Sequence, residues 1–177
     1  MRIVSGIHKG KRITAPKKMP VRPTTDIAKE ALFNILNNDY YFDEISVLDL
    51  FSGIGSISLE FASRGTKNII SVDNHYACVK FLSNTATELN CEIQTIKSDV
   101  YKFLDSSTQQ YDIIFADPPY HFSSEQFERI YHQVFDKKML KENGLLIIEH
   151  SKKTDLSSLN NFSKLKKYGG NCFSFFR

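Results

Sequence analysis

The amino-acid sequence predicts an α/β fold: a seven-stranded, mostly parallel sheet with helices on both faces, a closing C-terminal antiparallel hairpin and a short basic N-terminal extension. Three observations carry that expectation. Between Ser46 and His150, short apolar runs alternate with helix-period segments, the pattern of successive βαβ units. Several of these runs close on an acid or a glycine turn, at the edge where parallel sheets hold ligands. After Lys164 the pattern changes to two aromatic-bearing runs around Gly169-Gly170, which reads as a hairpin.

The totals bound the answer. A chain of 177 residues, 41% apolar and 24% charged, suits one compact unit with its own core. Residues 1–40 are expected to form a basic extension (hairpin plus helix) on a domain spanning 41–177. No apolar run approaches the ~20 residues of a membrane-spanning helix. Met1–Gly6 lacks the apolar stretch of a secretion signal. Cys78, Cys91 and Cys172 are odd in number and share no metal-ligand spacing, so neither a disulfide framework nor a zinc site is expected. His8, His75, His121, His132 and His150 are equally scattered. The expectation is a cytoplasmic monomer that needs no metal and no membrane.

The elements follow in order. Among the first thirty residues, Arg2, Lys9, Lys11, Arg12, Lys17, Lys18, Arg22 and Lys29 face only Asp26 and Glu30. Gly6, Gly10, Pro16, Pro20 and Pro23 break this arm into extended pieces, with a small hairpin expected between Ile3–Ser5 and Lys11–Ala15. Such an arm suits nucleic-acid phosphates, with Arg2, Lys9, Lys11, Arg12 and Arg22 as candidate ligands. The competing reading is an edge charged against aggregation. Thr24 or Thr25 then caps a helix whose apolar positions are Ile27, Ala31, Leu32, Ile35 and Leu36. Strands are expected at Ser46–Phe51, Lys67–Asp73, Glu92–Ser98, Tyr111–Ala116 and Leu145–His150. Helices are expected at Ser56–Arg64, Tyr76–Leu89 and Glu125–Leu140, with a helical turn at Val100–Leu104. The hairpin pairs Lys164–Tyr168 with Cys172–Phe176.

Two stretches carry chemistry. The strand ending at Ala116 runs into Asp117-Pro118-Pro119-Tyr120, a stiff turn because consecutive prolines fix φ and donate no N–H. It presents a carboxylate, the Pro118 carbonyl and an aromatic ring, which together suit a planar amino group on a flat base. The second stretch is Val47–Gly55, where a buried strand ending at Asp49 and Phe51 turns on Gly53 and Gly55 into a helix. Ser58 stands where a dinucleotide fingerprint would have its third glycine, so pyrophosphate binding is not supported, and Asp49 instead offers an anion to a cationic or amino-bearing ligand. Asp73 with Asn74 and then Asp99 close the next two strands, placed for ribose hydroxyls and an adenine amino group. Each of these acids alone could equally cap a helix. Together they describe an S-adenosylmethionine pocket beside a base-binding turn.

Taken with these motifs, the chain resembles the Rossmann-like class I S-adenosylmethionine-dependent methyltransferases. More narrowly it resembles the RsmD-type 16S rRNA guanine-N2 methyltransferases along nearly its whole length. The residues that carry this are Arg2–Gly6, Gly10-Lys11-Arg12, Arg22-Pro23-Thr24-Thr25-Asp26 with Glu30–Leu36, Leu48–Gly55, Asp117–Tyr120 and Tyr168-Gly169. Ile7-His8 and Ser56-Ile57-Ser58 depart from the family pattern. The resemblance implies methyl transfer to guanine N2 of 16S rRNA, within a small-subunit assembly particle. Rival readings are a DNA adenine-N6 or cytosine-N4 methyltransferase and a non-catalytic RNA-binding assembly protein. The first lacks a domain for reading a DNA sequence; the second sits badly with Asp49, Gly53, Gly55, Asp73 and Asp117 all being present.

Overall fold

In the computed structural model, which describes residues 1–16, 19 and 24–177, the chain begins with α1 (Asp26–Leu36), β1 (Ser46–Leu50), α2 (Ser56–Ser63) and β2 (Asn68–Asp73). It continues through α3 (Tyr76–Glu88), β3 (Ile93–Lys97), α4 (Val100–Ser106), β4 (Tyr111–Ala116) and α5 (Ser124–Asp136). The last three strands are β5 (Leu140–Ser151), β6 (Phe162–Tyr168) and β7 (Asn171–Phe176). They form one sheet in the order β3-β2-β1-β4-β5-β7-β6, parallel from β3 to β5 and antiparallel from β5 through β7 to β6. The expected fold class holds. Arg22, with Lys17, Lys18, Pro20 and Pro23, lies outside the described residues.

Local chemistry sets the boundaries. Thr25, not Thr24, caps α1, its hydroxyl accepting from the Ala28 N–H at 3.2 Å. β1 stops at Leu50 because Phe51 turns left-handed, at φ 58°. α5 ends at Asp136 rather than reaching Leu140, because Lys138 also turns left-handed, at φ 52°. Leu140 instead opens β5, five residues before the expected start, and the pairing with β4 shifts between Tyr111 and Ile113. The N-terminal hairpin shrinks to one antiparallel bridge between Arg2 and Arg12, extended by Ile3 N–H to Lys11 carbonyl and Ile13 N–H to Met1 carbonyl.

Each face of the sheet carries its own core. Phe127, Ile130 and Val134 of α5 pack with Leu48, Ile114, Leu146 and Phe176 on one face. Leu32, Phe33 and Leu36 of α1 pack with Val47, Phe61, Phe115 and Phe173 on the other. Ile3 and Ile13 of the arm cover Leu59, Leu82 and Leu89 on the outer side of α2 and α3.

The arm is held by a buried ion network rather than by apolar contact alone. Lys29 is fully buried, donates to the Arg2 carbonyl at 2.6 Å and lies 3.6 Å from Glu60. The Glu60 carboxylate accepts from the Val4 and Ser5 N–H groups at 2.9 and 3.0 Å, and from Arg64 at 2.9 Å. Burial lowers the Lys29 pKa, while Glu60 and Asp26 oppose that fall. Lys29 therefore belongs to the core and not to the exposed cations of the arm. Removing one partner of such a pair leaves the other charged and dry. Glu60→Ala is expected to cost about 3–5 kcal/mol in chemical denaturation, and to open Lys9, Lys11 and Arg12 to limited proteolysis.

Candidate active site

The carboxyl ends of β1, β2 and β4 open onto a cavity of about 610 Å³. Its lining includes Asp49, Phe51, Gly53, Asp73, Asn74, Asp99 and the whole turn Asp117–Tyr120, so residues from four separate stretches of sequence meet there. Gly55 is not on that wall. It takes φ 78° at the start of α2, and a Cβ there would lie 2.2 Å from Leu82, so its small size serves helix packing. Among the described residues no group of three or more His, Cys, Asp or Glu side chains could hold a metal.

The acids are arranged unequally. Asp73 accepts from the Gly53 N–H at 2.8 Å and from the His75 N–H at 2.7 Å, tying the glycine turn to the end of β2. Its carboxylate has lone pairs beyond those two bonds. Asp99 caps α4 through the Lys102 N–H at 3.1 Å, and remains exposed at the cavity rim. Asp49 is 1% exposed and is met by the Ser58 N–H and hydroxyl, the latter also 2.6 Å from the Ser71 hydroxyl. Burial pushes the Asp49 pKa up to about 7, against the two Ser58 bonds. The expectation that Asp49 simply presents an anion therefore changes: burial favours its neutral form in the free protein.

The Asp117 carboxyl is also held well above the usual carboxylate range. Burial is the main cause, followed by the negative fields of Glu149 and Asp49. Pro118 behind it is buried, while Pro119 and Tyr120 are exposed. The Tyr120 ring is 39% exposed, and its hydroxyl lies 3.5 Å from Glu149. Glu149 sits 1% exposed on β5, accepting from the Thr24 hydroxyl at 2.8 Å and the Asn171 amide at 2.6 Å. An aromatic wall completes the site: Phe122 packs edge-on to Phe51 at 5.7 Å and parallel to Tyr101 at 6.4 Å.

Thr24, Tyr101, Phe122 and Glu149 had no sequence signal as site residues, because their roles come from long-range pairing. Among the described residues, none of the arm's cations lines the cavity. Arg2, ion-paired with Asp26 at 3.2 Å, and Arg12 opposite it lie near the start of α1. The turn carrying Lys9 is pinned to Ser63 at the far end of α2 by Ile7 and His8. A helix rises 1.5 Å per residue, so Lys9 lies on the order of 10 Å further away than Arg2.

The donor set can be tested against S-adenosylmethionine. A buried Asp49 and a half-buried Asp117 fit a ligand that carries positive charge, the glycine turn fits close backbone approach, and Asp73 and Asp99 fit ribose and adenine.

Known proteins agree with the geometry. The family model described as "Conserved hypothetical protein 95" matches residues 1–177. The "Ribosomal RNA small subunit methyltransferase D" of Haemophilus influenzae is 29% identical over 94% of this chain and 87% of its own. A hypothetical protein of Thermus thermophilus superposes with a TM-score of 0.86 at 22% identity, covering 99% of this chain and 98% of its own. The T. thermophilus 16S rRNA N2 methyltransferase RsmC, solved with AdoMet and guanosine, gives 0.69 at 20% identity over 89% of this chain and 44% of its own.

Because folding raises the Asp49 pKa, the native state holds a proton that the unfolded chain releases near pH 4. That contribution to stability is present below pH 4 and is lost as pH rises through about 7. Relative to Asp49→Asn, the wild type is expected to lose of order 1–4 kcal/mol between pH 4 and 8, read as a changing difference in melting temperature.

Proposed function

The chain belongs to the conserved hypothetical protein 95 family of RsmD-type methyltransferases, and on that premise we propose that it methylates the exocyclic N2 of a guanine in small-subunit rRNA. The observation that carries this reading is the Asp117-Pro118-Pro119-Tyr120 turn, on the rim of an acid-lined cavity that fits a cationic cofactor. The fold, the family and the relatives support an S-adenosylmethionine-dependent rRNA methyltransferase; the guanine-N2 target is the finer part of the proposal.

In this reading Asp73 and Asp99 hold the nucleoside part of S-adenosylmethionine, the Gly53 turn lets it lie close, and Asp49 meets its charged end. When bound, the cofactor supplies a methyl group activated by a sulfonium. The remaining work falls to the turn. Asp117 and the Pro118 carbonyl accept the two N–H bonds of the amino group and aim its lone pair; such alignment can supply up to ~7–11 kcal/mol of a barrier. Tyr120, half open to solvent, stacks on a base swung out of its helix or loop, a contact worth ~1–3 kcal/mol. N-methylation leaves one surplus proton on nitrogen. Asp117 is placed to take it, since burial and two neighbouring acids favour its protonated form. The protein is read as a cytoplasmic monomer acting on an assembling small subunit, with Arg2, Lys9, Lys11, Arg12 and Arg22 on rRNA phosphates.

The test is methyl transfer from labelled cofactor to small subunits that lack the modification, followed by nucleoside analysis. Label in N2-methylguanosine, falling by about 10²–10⁴-fold in Asp117→Ala with cofactor binding retained, is the expected outcome. Label in adenine or cytosine would overturn the guanine assignment.

A further inference from the structure

Charge in this chain is segregated to its two ends. Eight of the 23 cations lie in the first thirty residues and six in the last 27, whereas those two segments hold three of the 20 acids. The middle of the chain is therefore acidic, in keeping with its acid-lined cavity. The N-terminal cluster is spoken for in part: Lys29 is buried, Arg2 is paired with Asp26, and Lys9 lies at the far end of α2.

The C-terminal cluster sits elsewhere. Lys152 and Lys153 follow directly on β5, at the same edge as the ends of β1, β2 and β4. Because β7 runs antiparallel to β5, and β6 to β7, the end of β6 returns to that edge. Ser151, Asn171 and Tyr168 share one row across the three strands, and Glu149, Phe173 and Lys166 share another. Strands are spaced about 4.8 Å apart, so Lys166 and Lys167 lie about 10 Å sideways from Glu149 and His150. Lys152, Lys153, Lys166 and Lys167 are all exposed, and none makes an ion pair within 4.0 Å among the described residues. Asp155, whose pKa is lowered chiefly by Ser157, feels the Lys167 charge and is the acid of this segment. Lysines on an edge strand can serve only to block edge pairing. Lys152 and Lys153 are outside the strand, though, and edge protection does not account for them.

We propose that Lys152, Lys153, Lys166 and Lys167 form a second rRNA-phosphate surface on the closing hairpin, on the opposite side of the cavity mouth from the N-terminal arm. This rests on the rRNA reading of the same site and extends it. RNA straddling the mouth is gripped from both flanks, and the target base drops between them towards Tyr120. Phosphate contacts give grip and register without reading sequence, which suits a small chain acting on a folded particle.

The experiment measures binding of small subunits lacking the modification, across a salt series, for wild type, the quadruple Lys→Gln variant and the Lys152→Gln/Lys153→Gln variant, whose changes lie outside hydrogen-bonded strands. Lys67→Gln, before β2 at the opposite edge, is the control. Melting temperature and S-adenosylmethionine affinity report folding. The expected result is at least a tenfold loss of affinity at 0.1 M salt and a salt slope shallower by about 2–4 in the quadruple variant. The double variant should show about half that change in slope, and Lys67→Gln no change. A quadruple variant that folds, binds cofactor and keeps the wild-type slope overturns this surface and leaves the methyltransferase intact. A wild type that neither binds nor methylates any small-subunit particle overturns the rRNA reading and this surface with it.

Discussion

Glu149 is a buried carboxylate whose two oxygens gather three remote parts of the chain: Thr24 before α1, Tyr120 of the Asp117–Tyr120 turn and Asn171 at the start of β7. A lone carboxylate in a dry site would cost several kcal/mol, and donors from those three segments are what make it tolerable. The constraint acts in both directions. Glu149 needs the entry segment, the turn and the hairpin in place, and they are thereby fixed around one cavity wall. Its charge also acts through space on Asp117, as that of Asp49 does. The site is thus a crowded row of acids towards the ends of five strands, held by hydroxyls, amides and backbone N–H groups. Crowding like charges lowers stability in the free protein, and a cation in the cavity relieves it.

The N-terminal arm shows the same principle at a second place. Lys29 and Glu60 are both fully buried, and beyond each other they bond the backbone of Arg2, Val4 and Ser5 and the side chains of Arg64 and Ser56. A cationic arm would otherwise gain little from packing on α2 and α3, where Ile3, Ile13 and Met1 supply its part of the apolar cluster. The ion network sets the arm's position against α1 and α2.

Much of this was legible in the sequence, for a physical reason. Asp117-Pro118-Pro119-Tyr120 is stiff by covalent geometry, so its meaning travels with the residues alone. The βα alternation follows from burial on both faces of a parallel sheet, which local pattern records faithfully. What escaped depends on partners far along the chain. Nothing in Leu145–His150 marks Glu149 as different from any strand residue; its role comes from Thr24 and Asn171. Asp49 reads as an anion until Ser58 and the surrounding core are seen to bury it. Gly55 reads as part of a ligand turn until Leu82 is found against it. Lys29 reads as one more surface cation until Glu60 appears beside it. The early start of β5 was hidden because Glu142, Asn143 and Gly144 look like a loop, yet they pass through the sheet as an irregular pairing with β4.

Asp49, buried and pushed up to about 7, is expected to hold a proton in the free protein and surrender it to a cationic ligand. Calorimetry in two buffers of different ionisation enthalpy, near pH 6.5, measures the protons released when S-adenosylmethionine binds, and when the neutral thioether S-adenosylhomocysteine binds. Net release is expected with the sulfonium, less with the thioether, and a smaller difference between the two ligands in Asp49→Asn. Equal proton counts for both ligands, or proton uptake with the sulfonium, would contradict it.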